Sequence, residues 1–346
     1  AAWVGAYPLA PHIPLRLEVA SWRAKPVNFH LVAPWTNPTR MVQTQESAGK
    51  RAANLIATSI LCIVMLGAAL LARRNTRLKL TDTRGAARLG AFVFAAYTLQ
   101  FLFSMYHTPN AGEIDRIVVV LAEALYAGAL VWILYLAIEP FVRRRWPQTI
   151  VSWSRILTGK LRDPLVGGDI LIGVAFGLFW CILFLVMFLV ANSLGDLPNP
   201  EGLDVLSGMR YLVSGFLAQF NGAIVFAFGS FFLLFLLRLV LRKGWLAAAC
   251  FVGVFVLDKG LTSGEIWMIP FLVVVYVVYA LLLLRYGIVP LIVGVLTVDC
   301  LVNAPLTLNF SSWYISSSVL SLLIFLAIAI YGFRLTVAGK PIFDVE

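Results

Sequence analysis

The sequence predicts an all-α polytopic membrane protein: a bundle of about nine transmembrane helices, preceded by a short extracytoplasmic β-rich segment and interrupted by a cytoplasmic interfacial helix. Three observations carry this expectation. Hydrophobic residues make up 61% of the 346 and charged residues 13%, against about half and about a quarter in soluble domains. The mean hydropathy is +0.90. The apolar residues form continuous runs of the length a helix needs to cross a hydrocarbon core, about 20 residues, rather than the alternating segments of about 10 residues used by membrane barrels.

Residues 1–53 read as a soluble segment. The opening AAWVGAYP has neither Met nor the charged and then apolar regions of a signal peptide. It starts as if part way into a folded unit, so further residues are expected upstream. LRLEVASW and PVNFHLV have strand-like composition, with residues 23–26 as the turn between them. Two strands alone are marginal in water, so they are expected to complete a larger β-rich domain.

Residues 54–346 form the multi-span domain. Helices are expected at 54–73, 89–106, 116–138, 169–192, 209–240, 245–259, 266–285, 288–303 and 314–334. The fifth is too long for a simple span and is expected to begin as an interfacial or tilted helix before Asn221 and Gly222. The sixth is short, framed by Trp245 and Lys259, which leaves eight to ten crossings open.

Orientation follows from the basic residues. One set of connections and helix ends holds Arg73, Arg74, Arg77, Lys79, Arg84, Arg88, Arg143, Arg144, Arg145, Arg155, Lys160, Arg162, Arg238, Arg242, Lys243, Arg285, Arg334 and Lys340, whereas the other holds Arg116, Arg210 and Lys259. Lys and Arg concentrate in cytoplasmic loops, so the first set is expected inside the cell. The amino-terminal segment is then extracytoplasmic and the carboxyl terminus cytoplasmic. The formal charge of +10 reads as topology and as contact with anionic lipid of the cytoplasmic leaflet, with no nucleic-acid partner.

The densest basic cluster lies in EPFVRRRWPQTIVSW, residues 139–153. Glu139 and Pro140 are expected to end the third span, because a residue before proline avoids helical geometry. Trp146 and Trp153 suit headgroup depth. IVSWSRILTGKL carries Ile150, Trp153, Ile156, Leu157 and Leu161 near helical spacing, which predicts a short amphipathic interfacial helix. Residues 139–168 together form a cytoplasmic connector. Asp163-Pro164 and Gly167-Gly168-Asp169 make the turn into the fourth span, with Asp169 as the expected helix cap.

The run YLAIEPFVRRRWPQTIVSWSRILTGKLRDPLVGGDILIG resembles the membrane portion of a family of receptor-like serine/threonine protein kinases of acidobacteria. Glu139, Pro140, Arg143, Arg144, Arg145, Trp146, Pro147, Ser152, Trp153, Arg155, Gly159, Asp163, Pro164, Leu165, Val166, Gly167 and Asp169 carry the resemblance, and Gly168 stands where the family commonly has a basic residue. LRLEVASWRAKPVNFHLVAPWTNPTRM is similar to the family's segment before the clustered spans, with Ala24 and Ala33 in place of glycines. The resemblance implies an upstream cytoplasmic kinase domain, one span, and an extracytoplasmic domain. The chain itself has no Gly-rich phosphate loop, no V-A-I-K-like strand, no H-R-D and no D-F-G. It is therefore expected to be the sensory and anchoring half, with no catalytic residues.

Ionisable groups within spans are functional hypotheses by default. Glu123, Asp299, Gln100, Asn221 and Asn303 all fall in the expected outer halves of their spans, with Ser104, Asn192 and Gln219. They either line one outward-facing polar pocket for a small ligand or cation, or hydrogen-bond neighbouring helices. His12, His30 and His107 show no metal-ligand spacing, and Cys62, Cys181, Cys250 and Cys300 lie far apart inside apolar runs. Neither a metal nor another cofactor is expected. Expected partners are membrane lipids, a cytoplasmic kinase domain of the same polypeptide and other membrane subunits, in the bacterial inner membrane. The rival readings are a transporter or permease, against which stands the lack of an internal repeat, and a structural subunit of a larger membrane complex.

Overall fold

The computed structural model of the chain describes residues 1–7, 10–23, 25–36, 48–105, 107, 109–146, 149, 151–195, 206–263 and 265–337. The expectations that involve Ala24, Pro147, Ile150 and Lys340, and the side chains of His12 and Arg145, lie outside the described residues. The chain divides into two compact units, Ala1–Ala48 and Gly49–Glu346.

The first unit is an antiparallel sheet of three strands in the order β1 (Ala2–Tyr7), β2 (Ala10–Trp22) and β3 (Lys25–Val32). Two strands were expected; β1 is the addition. Leu17 stands opposite both Trp3 and Leu31, and Val19 stands opposite Phe29. Directly opposed residues share a face, so these side chains form one apolar stripe. Trp3, Phe29 and Leu31 on it are exposed.

The second unit is helical: α1 (Ala48–Arg77), α2 (Thr83–Ser104), α3 (Gly112–Arg145), α4 (Val151–Leu157), α5 (Pro164–Ser193), α6 (Met209–Leu241), α7 (Gly244–Ser263), α8 (Ile269–Arg285), α9 (Ile288–Val302) and α10 (Ile315–Val337). Eight helices among the described residues are long and apolar enough to cross a membrane, and α9 is a shorter apolar one. The chain is a multi-pass membrane protein, as predicted. Its outward faces are those of a lipid-embedded bundle: Leu55, Leu66, Leu70, Val118, Leu125, Ile182, Leu185, Leu281 and Leu323 are all exposed.

The 15 residues of α9 extend about 22 Å at 1.5 Å per residue, less than the roughly 30 Å hydrocarbon core. Its neighbours make this possible. α9 packs on α5, α6, α8 and α10, and Ile288, Val289, Leu291, Ile292 and Cys300 are buried. Helix ends at membrane depth are tolerated where protein surrounds them. Small residues bring α5 against α9. A Cβ on Gly173 would lie 2.7 Å from the Pro290 carbonyl oxygen, and one on Gly177 would lie 2.8 Å from that of Gly294. Gly173 and Gly177 are one turn apart, the small-xxx-small pattern of close membrane helix pairs.

Expectations about the helix ends at the connector change. α3 does not stop at Glu139 but runs through Pro140 to Arg145. α6 is one continuous helix, Met209–Leu241, close to the expected 209–240. The cap of α5 is Asp163, whose carboxylate accepts from the Leu165 N–H at 3.0 Å; Asp169 lies inside the helix and bonds to the Ser152 side chain.

Candidate functional site: a buried polar junction beneath the connector

Contacts establish which helix ends meet the connector. Asn75 of α1 and Asp82 of α2 bond to the end of α3, and Arg88 of α2 bonds to Leu157 of α4. Arg238 of α6 lies over Trp146, Gly287 between α8 and α9 lies against Thr149, and Tyr331 of α10 donates to the Leu161 carbonyl. The helix ends rich in Arg and Lys thus share one end of the bundle, while Arg116 in the first turns of α3, Arg210 at the start of α6 and Lys259 in the last turns of α7 belong to the other. The charge asymmetry of the sequence is an asymmetry of the folded bundle.

At this end the chain breaks a local rule. Proline inside a helix lacks the N–H that would bond the carbonyl four residues back, and its ring crowds that carbonyl. At Pro140 the orphaned acceptor is Leu136. Asn75 supplies the missing donor: its Nδ2 lies 3.1 Å from the Leu136 oxygen and 3.1 Å from the Ala137 oxygen. The side chain is 2% exposed, so water does not replace it.

One residue before the proline, Glu139 is 1% exposed. Its carboxylate ion-pairs with Arg143, one turn on, and its Oε2 accepts from the Asp82 backbone N–H at 3.3 Å. A buried charge needs such partners. Asp82 in turn caps α2, its Oδ1 accepting from the Gly85 N–H at 2.9 Å. Glu139 therefore links the end of α3 to the start of α2, and Asn75 links it to α1.

The remaining connector residues are anchored in the same way. Arg155 on α4 pairs with Asp163, which holds α4 to the start of α5. Burial by itself would raise the Asp163 carboxyl, but the Leu165 N–H, the Arg155 guanidinium and the nearby Lys160 charge outweigh it and hold it below the usual carboxylate range. Trp153, expected at headgroup depth, is instead 7% exposed and meets the Phe228 ring edge-on at 5.2 Å. The α4 helix is built into the bundle rather than laid on it. Trp146 is half-buried, with the Arg238 guanidinium 4.4 Å from its ring centroid, a cation–π geometry. Arg143 and Arg144 are exposed.

Asn75 and Asp82 were not singled out in the sequence. The signal lay in Pro140: a proline within an otherwise helical apolar run implies an orphaned carbonyl one turn back, and hence a polar partner on another helix.

The outer polar residues do not gather into one pocket. Gln100 and Asn221 do meet, Asn221 Nδ2 donating to Gln100 Oε1 at 2.9 Å, and the Ser214 hydroxyl donates to the Gln100 carbonyl. Asn303 lies instead on a crevice of about 10 Å³ with Gln219 and Cys300. Glu123 is exposed on α3, off the buried stripe of Val120, Ala124, Ala127 and Val131. Asp299 is half-buried, near Tyr279, Cys181 and Cys300. The Gln100–Asn221 pair joins α2 to α6 in the manner of interhelical bonds in membranes. No group of three His, Cys, Asp or Glu among the described residues stands together as a metal site.

Comparison with protein-family models, curated proteins and solved structures finds no match to this chain.

Proposed function

We propose that this chain is the non-catalytic membrane sensor and anchor module of a receptor-like serine/threonine protein kinase. It sits in a bacterial inner membrane with the connector and carboxyl terminus in the cytoplasm and the β-sheet outside. The connector, residues 139–169, is its output. The observation that supports this reading is the buried junction of Asn75, Glu139 and Asp82, which ties the root of the connector to three helices through contacts that a shift in packing alters. A stimulus biases such an element only by binding its two arrangements with different affinity. Hydrogen bonds shared between α1, α2 and α3 set how much such a stimulus must supply to shift the packing.

The test is phosphorylation by the full-length protein in membranes. Glu139→Ala and Asn75→Ala are expected to change basal or stimulated output several-fold at equal protein level. Output equal to wild type in both would contradict the coupling role. The coding sequence upstream of Ala1 tests the kinase link separately: without a protein kinase domain in that reading frame the kinase assignment fails.

A further inference from the structure

A cavity of about 410 Å³ opens beside the connector, between α2, α4, α5, α6 and α9. Its volume falls within the range of about 300–1,000 Å³ of small-molecule sites. The walls are apolar, formed by Phe92, Ile224, Ile292 and Val293 among others, while Arg88, Trp153 and Leu157 line its connector end.

Two features give the connector end a chemistry. Trp153 is 7% exposed, and its Nε1–H has no hydrogen-bond partner. A buried donor left unmade is costly, so an acceptor placed there is favoured. Arg88 is exposed at the same end, with Nη1 donating to the Leu157 carbonyl at 3.2 Å. Arg84, Lys160 and Arg162 are exposed on α2 and the connector, so this end of the bundle is basic. Phe92, one turn deeper on α2, is 51% exposed and marks the side open to lipid.

We propose that this cavity is a binding site for one anionic phospholipid. The phosphate sits against Arg88, an ester carbonyl accepts from Trp153 Nε1–H, and one acyl chain lies along Phe92, Ile224, Ile292 and Val293. The polarity runs the right way for an amphiphile in a bilayer, with the cation and unmade donor at the basic end and the apolar walls running inward. The site goes beyond the sensor reading and does not depend on it.

Native mass spectrometry of the detergent-purified full chain, titrated with phosphatidylglycerol and with phosphatidylcholine, tests it. Wild type is expected to hold one phosphatidylglycerol more tightly than all later ones and more tightly than phosphatidylcholine. Arg88→Gln is expected to weaken that first lipid about fivefold, the size of one surface cation on an anionic membrane. Trp153→Phe is expected to weaken it about two- to tenfold, the worth of one hydrogen bond. Val293→Trp fills the cavity and is expected to abolish the tight lipid while leaving the weaker ones; Phe92→Trp, at the exposed mouth, serves if Val293→Trp does not fold. Retention of the tight lipid in the cavity-filled variant, an unchanged affinity in Arg88→Gln, or tight binding of oleate with none of phosphatidylglycerol would overturn the proposal. A lipid that binds as described but leaves phosphorylation unchanged when exchanged for phosphatidylcholine would preserve the site and count against the sensor role.

Discussion

Asn75 and Pro140 form a pair whose logic is visible only in three dimensions. Removing the Asn75 amide leaves the buried Leu136 carbonyl without a donor, at a cost of about 1–3 kcal/mol. Replacing Pro140 by alanine restores the N–H that Leu136 lacks. Asn75→Ala is therefore expected to destabilise the wild type by that amount in detergent unfolding, and by clearly less in a Pro140→Ala background; equal costs in both would refute the compensation. His107, in the turn between α2 and α3, offers a second test. Its Nδ1 lies 2.6 Å from Glu113 Oε1 and its Nε2 lies 3.1 Å from the Leu102 carbonyl oxygen. Both partners are acceptors, so the doubly protonated ring satisfies both. The Glu113 carboxylate first, and the Leu102 carbonyl next, raise the imidazole above its ordinary value, with desolvation and then Arg210 opposing. A raised folded value means stability that is fully present below the unfolded value, about 6.5, and lost as pH rises through the folded one. The protection factors of amides in the α2–α3 turn, exchange rates taken relative to the intrinsic rate at each pH, are expected to fall across that window in wild type and to stay flat in His107→Gln.

At the scale of elements, Gly287 joins the connector to the bundle. Its φ of 100° and ψ of −157° lie in a region essentially reserved for glycine, and any Cβ there would collide with the Thr149 backbone carbonyl. Gly287→Ala is expected to cost at least about 1 kcal/mol from backbone strain and to expose the Thr149 region to proteolysis, whereas unchanged cleavage and stability would show that the contact is dispensable. The helices themselves were legible because long apolar runs of membrane length have few alternatives; even α9 and α4 stand where the pattern put them. Boundaries were less so. The proline rule stopped α3 too early because a side chain from α1 satisfies the carbonyl that proline orphans, a tertiary fact that no local window contains. Asp163 rather than Asp169 caps α5, since its β-region backbone directs the carboxylate at Leu165. β1 was missed because AWVGAY mixes small residues with strand formers.

At the scale of the whole molecule, charge placement was the most legible property and the polar sites the least. Counting Arg and Lys by connection predicted a two-ended bundle, and the contacts of Asn75, Arg88, Arg238 and Tyr331 assemble one such end around the connector. The proposed outer pocket failed to assemble because depth in a span says nothing about rotation around its axis: Glu123 lies off the buried stripe of α3, while Gln100 of α2 and Asn221 of α6 face one another. The same limit hid the burial of Trp153 against Phe228. The account as a whole rests on the basic end facing the cytoplasm. Impermeant maleimide labelling of intact cells tests that most directly, with Lys160→Cys in the connector and Val27→Cys in β3, each in a background in which the four native cysteines are replaced. Val27→Cys is expected to label from the medium and Lys160→Cys only after the cells are broken; a connector that labels in intact cells while the strand stays protected would contradict it.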